Sequence, residues 1–273
     1  MTTIERSAFS DCTNLKTLYL TNTITRFEDN VFLNCSLLDS IIDLKSCTYI
    51  GDSAFKNCTK LNFKNIGNVS TIGGTAFYGT NIITAEIKEN ATLGTQIFNN
   101  CSNLETLIFK GDFTMDDWTK GLAQNCPKLT NIIFKKQVSK LPENCFLGNT
   151  GLTSIDLSKV TELSDNGIGY EFHNIVSCIF SPTLTRIPNG MFSSWDNTNL
   201  TVTIPATVSE IGSGAFNNCK GTFYILSTIP PTLSATSEIN NNMTIYVPAA
   251  SLEAYKAAEY WSDVANRIFA ITE

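Results

Sequence analysis

The sequence predicts an α/β, strongly β-rich solenoid of about ten coils of about 23 residues, with a parallel sheet on its concave face and a cap at its C-terminal end. Three observations predict it. A unit centred on Phe recurs at spacings of 21 to 24 residues: Phe9, Phe32, Phe55, Phe77, Phe98, Phe146, Phe192 and Phe216 hold the centre, with Leu122 and Ile168 as weaker substitutes. An L-x-x-L-x-L pattern follows most centres, as in Leu15, Leu18 and Leu20, or Leu104, Leu107 and Phe109. Each unit has too few apolar residues to close a core alone, so its Leu, Ile and Phe must be covered by the same residues of the units beside it.

Each coil opens on an apolar residue five positions before its centre, as at Ile4, Phe27, Ile50, Ile72 and Leu93. The A-F-x-x-C stretch reads as a helical or 3₁₀ turn. The end of the leucine pattern alternates with period two and reads as one short strand per coil with one buried face. The sixth unit, KGDFTMDDWTKGLAQNCPKL, lacks the Ala-Phe pair and carries Trp118, which predicts a local bulge. The coil between Val160 and Phe180 is degenerate and holds Gly167, Gly169 and the single histidine, His173. After Phe216 the period is lost. Residues 226–273 are therefore expected to cap a solenoid spanning 1–225, as one continuous structural unit, with Ser251 as N-cap of a short helix carrying Leu252, Tyr255 and Ala258 on one face. No matching N-terminal cap is seen, so the natural protein is expected to extend upstream of Met1.

Composition and chemistry narrow the function classes. Charged residues make up 16% and the formal charge is −6, so the surface is neutral-polar; the lysines are scattered, without the basic stripe that phosphate backbones require, and nucleic acid is not an expected partner. No apolar run approaches the roughly 20 residues that cross a bilayer, and the N-terminus has neither a basic nor an apolar signal region. Of the nine cysteines, Cys12, Cys35, Cys58, Cys101, Cys126 and Cys219 share one repeat position, which predicts free, buried thiols acting as small hydrophobes. Cys47, Cys145 and Cys178 lie off that position, Cys178 at a strand core site, and no C-x-x-C pair or His partner offers metal geometry. A Ser-His-Asp or Cys-His site could form only around His173, and no nucleophile elbow is present. Asp116 with Asp117, and Glu162 with Asp165, are the acid pairs a glycosidase would need, and they read as solvated loop acids. Gly73-Gly74 and Gly167-x-Gly169 read as turns. The N-x-S/T triplets at Asn34, Asn57 and Asn100 follow from the repeated Asn-Cys step. No catalytic, cofactor or metal site is expected.

The I-G-x-x-A-F-x-x-C-x-x-L-x-x-I-x-L pattern resembles the BspA-like class of leucine-rich repeats, and V-P-A-A-S-L-E-A-Y-K at 247–256 resembles the C-terminal segment of Bacteroides-type surface proteins. The resemblance covers about residues 4–270. It implies a right-handed leucine-rich-repeat solenoid on a cell-surface or secreted bacterial protein, with adhesion or binding of a host or matrix protein as its role. It carries no catalytic residues. By strand alternation, Tyr19, Ile42, Glu86, Ile108, Ile133, Asp156 and Ile179 face away from the core and are the candidate partner-binding residues, beside Thr17, Thr84, Thr106, Asn131, Ser154 and Thr203. Apolar members of such a column mark interaction sites, although Ile and Tyr also favour strands without any ligand. The expected function is noncatalytic binding of an extracellular protein or glycan through the concave strand face. The alternative is a spacer or stalk segment of a larger surface protein, which a uniformly Thr, Ser and Asn face would favour.

Overall fold

A computed structural model describes residues 2–233, 239 and 242–272. The chain is a parallel-strand β-solenoid of about 12 turns with little helix, where the sequence suggested about ten coils. It divides into two compact units, Met1–Val138 with Asn149–Gly151, and Ser139–Gly148 with Leu152–Glu273.

In the first unit the coils after the first carry two strands each rather than the one expected. A first ladder pairs Thr3–Ile4, Arg26–Phe27, Tyr49–Ile50, Thr71–Ile72, Ala91–Leu93 and Phe113–Met115 in parallel, in chain order. The apolar residues that open the coils, Ile4, Phe27, Ile50, Ile72 and Leu93, end these strands and are buried. A second ladder follows each turn: Ile41–Asp43 pairs with Asn62–Lys64, and Thr84–Ile87, Thr106–Phe109 and Asn131–Phe134 form a three-stranded sheet. In the first coil Leu15, Leu18 and Leu20 are half-buried and form no strand.

The A-F-x-x-C stretch is not a helix. Ser53 (φ 53°) and Asn57 (φ 62°) flank Phe55 in the left-handed region, which a right-handed helix cannot pass through. Short i→i−3 bonds close successive turns within the coil, Lys56 N–H to Ser53 O and Cys58 N–H to Phe55 O at 3.1 Å, and the alternate groups bond across coils: Phe32 N–H donates to Ala54 O at 2.8 Å, Phe55 N–H to Ala76 O at 2.9 Å and Asn57 N–H to Tyr78 O at 2.8 Å. Asparagine tolerates that conformation better than most residues, which accounts for the recurring Asn before Cys. Its side chain adds a second ladder, with Asn57 Nδ2 donating to Asn34 Oδ1 at 2.8 Å. Gly73 follows Ile72 because a Cβ there would lie 2.5 Å from the backbone nitrogen of Asp52 in the preceding coil.

The centres stack. Phe9, Phe32, Phe55, Phe77 and Phe98 lie ring on ring at centroid separations of 5.1, 5.7, 5.6 and 5.6 Å. Burying each ring contributes about 1.5–3 kcal/mol. Three residues beyond the centre, four cysteine thiols donate to the carbonyl of the preceding centre: Cys35 to Phe9 O, Cys58 to Phe32 O and Cys101 to Phe77 O at 3.0 Å, and Cys126 to Phe98 O at 3.1 Å, whereas Cys219 reaches Lys220 O at 3.5 Å. This pattern corrects the sequence reading of the two weak centres. Phe98 N–H donates to Leu122 O at 2.9 Å, and Cys126 lies three residues after Ala123, so Leu122 fills the alanine slot and Ala123 the centre. Phe146 N–H likewise donates to Ile168 O at 2.9 Å, and Trp195 Nε1 donates to Gly169 O at 3.4 Å, which makes Gly169 the centre. Phe172, buried three residues later, supplies the missing ring and packs edge-on against Trp195. In the sixth coil the strand Phe113–Met115 keeps its register, and Trp118 stacks on Phe113 at 5.7 Å. Cys12 alone departs from the expected burial and is exposed, because among the described residues no coil covers its side of the first turn.

In the second unit Ser154–Leu157, Ser177–Phe180, Thr201–Ile204, Gly221–Ile225, Met243–Val247 and Ile268–Ala270 form one six-stranded parallel sheet. Arg186–Ile187, Glu210–Ile211 and Thr232–Leu233 form a separate three-stranded parallel sheet. The Phe centres end at Phe216, as read from the sequence, yet the strand ladder runs on for two more coils. Helix Leu252–Ala257 and Trp261 close the core, with Tyr255 Oη donating to Ser227 O at 2.9 Å and Trp261 Nε1 to Pro231 O at 2.8 Å. Ser251 makes no side-chain cap, contrary to expectation; its Oγ donates to Thr228 O at 2.8 Å and ties the helix start to the preceding coil.

Candidate functional site

Apart from the exposed thiol of Cys12, the cysteines are buried, and most of the candidate acids and His173 are already paired. Burial pushes the thiols of Cys35, Cys47 and Cys101 up to about 11 and those of Cys58 and Cys219 up to about 12. It also raises Cys126, Cys145 and Cys178, so these groups stay protonated at neutral pH. His173 Nδ1 lies 2.7 Å from Asp196 Oδ1 at the surface, and that hydrogen bond holds the Asp196 carboxyl below its ordinary value. Glu162 and Asp165 are held by different cations, Lys140 at 2.7 Å and Arg186 at 2.8 Å. Asp117 accepts from the Thr119 hydroxyl and backbone N–H, which lower its pKa, and lines an open hollow with Asp116, Asp52 and Lys120. Among the described residues no group of three or more His, Cys, Asp or Glu side chains could hold a metal ion.

The outward strand face is then the surface to examine. In the first unit, register places Glu86, Ile108 and Ile133 side by side on adjacent strands, with Thr84, Thr106 and Asn131 as the neighbouring column. Ile133 is exposed and Ile108 half-buried. The Glu86 carboxylate is engaged by Lys110 Nζ at 2.6 Å. Two candidates do not join this column. Tyr19 is 93% exposed on the coil that forms no strand. Ile42 is 4% exposed and belongs to the core, while Ile41 faces out. The reason is phase: four residues separate buried Leu38 from Ile42, whereas three separate Leu104 from Leu107, and one extra residue turns every strand side chain to the opposite face.

In the second unit the same register builds two parallel columns. One runs Asp156, Ile179, Thr203, Tyr224, Tyr246 and Phe269; the other is entirely hydroxyl, Ser154, Ser177, Thr201, Thr222 and Thr244. Asp156 and Ile179 are thus neighbours, with Ile179 54% exposed. Tyr224 and Tyr246 stack at 5.1 Å, and Tyr246 meets Phe269 at 5.9 Å. Sequence reasoning missed these three aromatics. Their signal was present, because Thr-Phe-Tyr at 222–224 and Thr-Ile-Tyr at 244–246 keep the strand alternation after the Phe centres have gone. Beside Thr203 the face opens into a cleft of about 630 Å³ between the coils of Ile179 and Leu226.

Among the described residues no helix is long and apolar enough to cross a membrane. Solved structures similar to this chain include a leucine-rich repeat protein from Bacteroides ovatus at 20% identity, covering 99% of this chain and 87% of that one with a TM-score of 0.46, and a leucine rich cell surface protein from Faecalibacterium prausnitzii at 16% identity, covering 93% and 79% with a TM-score of 0.31. No curated protein matches. A sequence profile of the BspA type leucine rich repeat region, in six copies, matches residues 1–105 and 120–235. Those residues make up most of the chain, and it belongs to the BspA-type leucine-rich-repeat family.

Proposed function

We propose that this chain is a noncatalytic binding or adhesion module, secreted or displayed at a cell surface, that contacts an extracellular protein or glycan through its outward strand face. The observation that carries this reading is the apolar column of the second unit, where exposed Ile179 and Phe269 flank the half-buried Tyr224 and Tyr246 beside a hydroxyl column. Tyrosine and phenylalanine are enriched where proteins meet partners, and a rigid strand ladder holds them without further ordering cost. Ile108 and Ile133 add a smaller apolar pair on the first unit.

A second reading, a spacer segment of a larger surface protein, is favoured by a different observation: the Thr84, Thr106, Asn131 column and the five-hydroxyl column of the second unit offer a partner little beyond weak polar contacts. The test is binding of the purified chain to an array of extracellular-matrix proteins, mucins and glycans. Two variants run beside it, Ile108→Asp with Ile133→Asp, and Tyr224→Ala with Tyr246→Ala. Binding lost in a variant whose circular dichroism and melting match wild type places the partner on that unit's face. If wild type binds nothing on the array, the spacer reading stands.

A further inference from the structure

The cleft beside Thr203 has a definite structural origin. Thr203 is a short side chain in register between Ile179 and Tyr224, so the outward column has a notch there. Pro182 and Pro205 follow the strands Ser177–Phe180 and Thr201–Ile204, and Leu226 follows Gly221–Ile225; these three form the far wall. Thr207 Oγ1 donates to Pro182 O at 3.0 Å and to Leu184 O at 2.6 Å, which ties that wall across two coils. The resulting hollow of about 630 Å³ lies within the roughly 300–1,000 Å³ range of small-ligand sites.

Its lining decides the class of ligand. The floor and walls are mainly apolar, and no Asp, Glu, Lys, Arg or His lines them, so a charged group entering the cleft would lose hydration without meeting a counter-charge. Among the described residues the hydroxyls of Ser177, Thr201 and Thr203 bond to no protein group, unlike Thr25, Thr161 and Ser209, which donate to backbone carbonyls of the preceding coil. Three free hydroxyls on an apolar floor can orient one or two polar substituents. They are too few to satisfy a sugar, which carries polar groups around its whole rim.

We infer that this cleft binds an uncharged, mainly apolar small molecule with a polar group at one edge. The site shares Ile179 with the proposed partner-binding face but does not depend on that reading, since its occupant is a small molecule held between two coils.

The test uses the full chain and two fluorescent probes of similar ring size, neutral Nile red and anionic 1-anilinonaphthalene-8-sulfonate. Wild type is expected to bind one Nile red per chain saturably, and the sulfonate at least tenfold more weakly. Thr203→Trp, which fills the notch at an outward strand position, is expected to weaken Nile red at least tenfold with an unchanged circular dichroism spectrum. Ile179→Asp, which charges the wall, should do the same, and Ile83→Asp, at an exposed position of the other unit outside the strand column, should change nothing. A loss under tenfold in both cleft variants, or equal affinity for the two probes, overturns the assignment. If Nile red fails to bind while an array protein binds wild type but not Thr203→Trp, the cleft accepts a protein side chain and the small-molecule assignment falls. Because the dye reads only the cleft and the array reads the face, failure of one is distinguishable from failure of the other.

Discussion

Cys58 shows how much one repeat position has to accomplish. Its side chain must be small enough to sit beneath the Phe stack, apolar enough to be fully buried, and able to donate a weak hydrogen bond to Phe32 O, 3.0 Å away. Where cysteine is absent, another donor takes the slot: Thr80 bonds to Phe77 O at 2.8 Å, and Asn149 accepts from Cys126 N–H at 2.7 Å and donates to Ala123 O at 2.8 Å. Cys58→Ala removes the donor and leaves a small void, and is expected to lower stability by about 1–2 kcal/mol, read from the denaturant midpoint at unchanged slope. The same burial makes the fold sensitive to alkali. An unfolded thiol loses its proton near pH 8.5, whereas Cys35, Cys47 and Cys101 hold theirs to about 11 and Cys58 and Cys219 to about 12. Above pH 8.5 the unfolded state therefore binds fewer protons than the folded one. The stability these thiols contribute is complete below that pH and is lost as pH rises toward 11–12. Urea midpoints should be level from pH 7 to 8 and fall steadily from pH 9 to 10.5; a flat profile would show that the thiols are not held protonated by the fold.

At the scale of the element, the turn around each Phe is held by backbone bonds between coils as well as by i→i−3 bonds within the coil, and its left-handed residues predict an inverted substitution order. Asn57 has φ 62° and bonds through its side chain to Asn34. In a helix alanine would be preferred over glycine by about 1 kcal/mol. Here Asn57→Ala should cost about 1–2 kcal/mol and Asn57→Gly less, because glycine enters the left-handed region without strain. Thermal unfolding of the two variants measures the order, and alanine proving the milder change would restore the helical turn. This is also where the sequence was least legible. The centres, the strand after each turn and the cysteine position could all be read from spacing, because each is an apolar residue repeated in one slot. The turn conformation could not, since Asn-Cys suits several turn types and only backbone bonds to the next coil select among them. Ile41 and Ile42 form a doublet with no intrinsic phase, so one inserted residue reversed the inferred face. Ala123 and Gly169 carry no ring, so the larger Leu122 and Ile168 beside them are the apolar residues that the spacing picks out. Tyr224, Tyr246 and Phe269 went unseen because the strand had been tied to a Phe centre that it does not need.

Across the molecule, a core made of one ring per coil has no single centre, and its stability should propagate from neighbour to neighbour. Within the first unit Phe55 stacks on Phe32 at 5.7 Å and on Phe77 at 5.6 Å, and its edge contacts reach Phe27 and Phe63. Phe55→Ala removes all four contacts and should cost about 3–5 kcal/mol locally. In a globular core that loss would be felt by every residue of the cooperative unit. In this ladder it should be felt most by the coils that touch the void, because the backbone of each coil hydrogen-bonds to those on either side of it. Amide exchange followed by mass spectrometry is therefore expected to accelerate most in Arg26–Phe27, Tyr49–Ile50 and Thr71–Ile72, whose coils border the void. It should accelerate progressively less through Ala91–Leu93 and Phe113–Met115. A gradient of this kind would mean that a partner bound at one coil stabilises chiefly its neighbours, so the exchange protection it confers would locate it. Equal acceleration throughout the first unit would instead show a single cooperative block, and protection would then report binding without saying where.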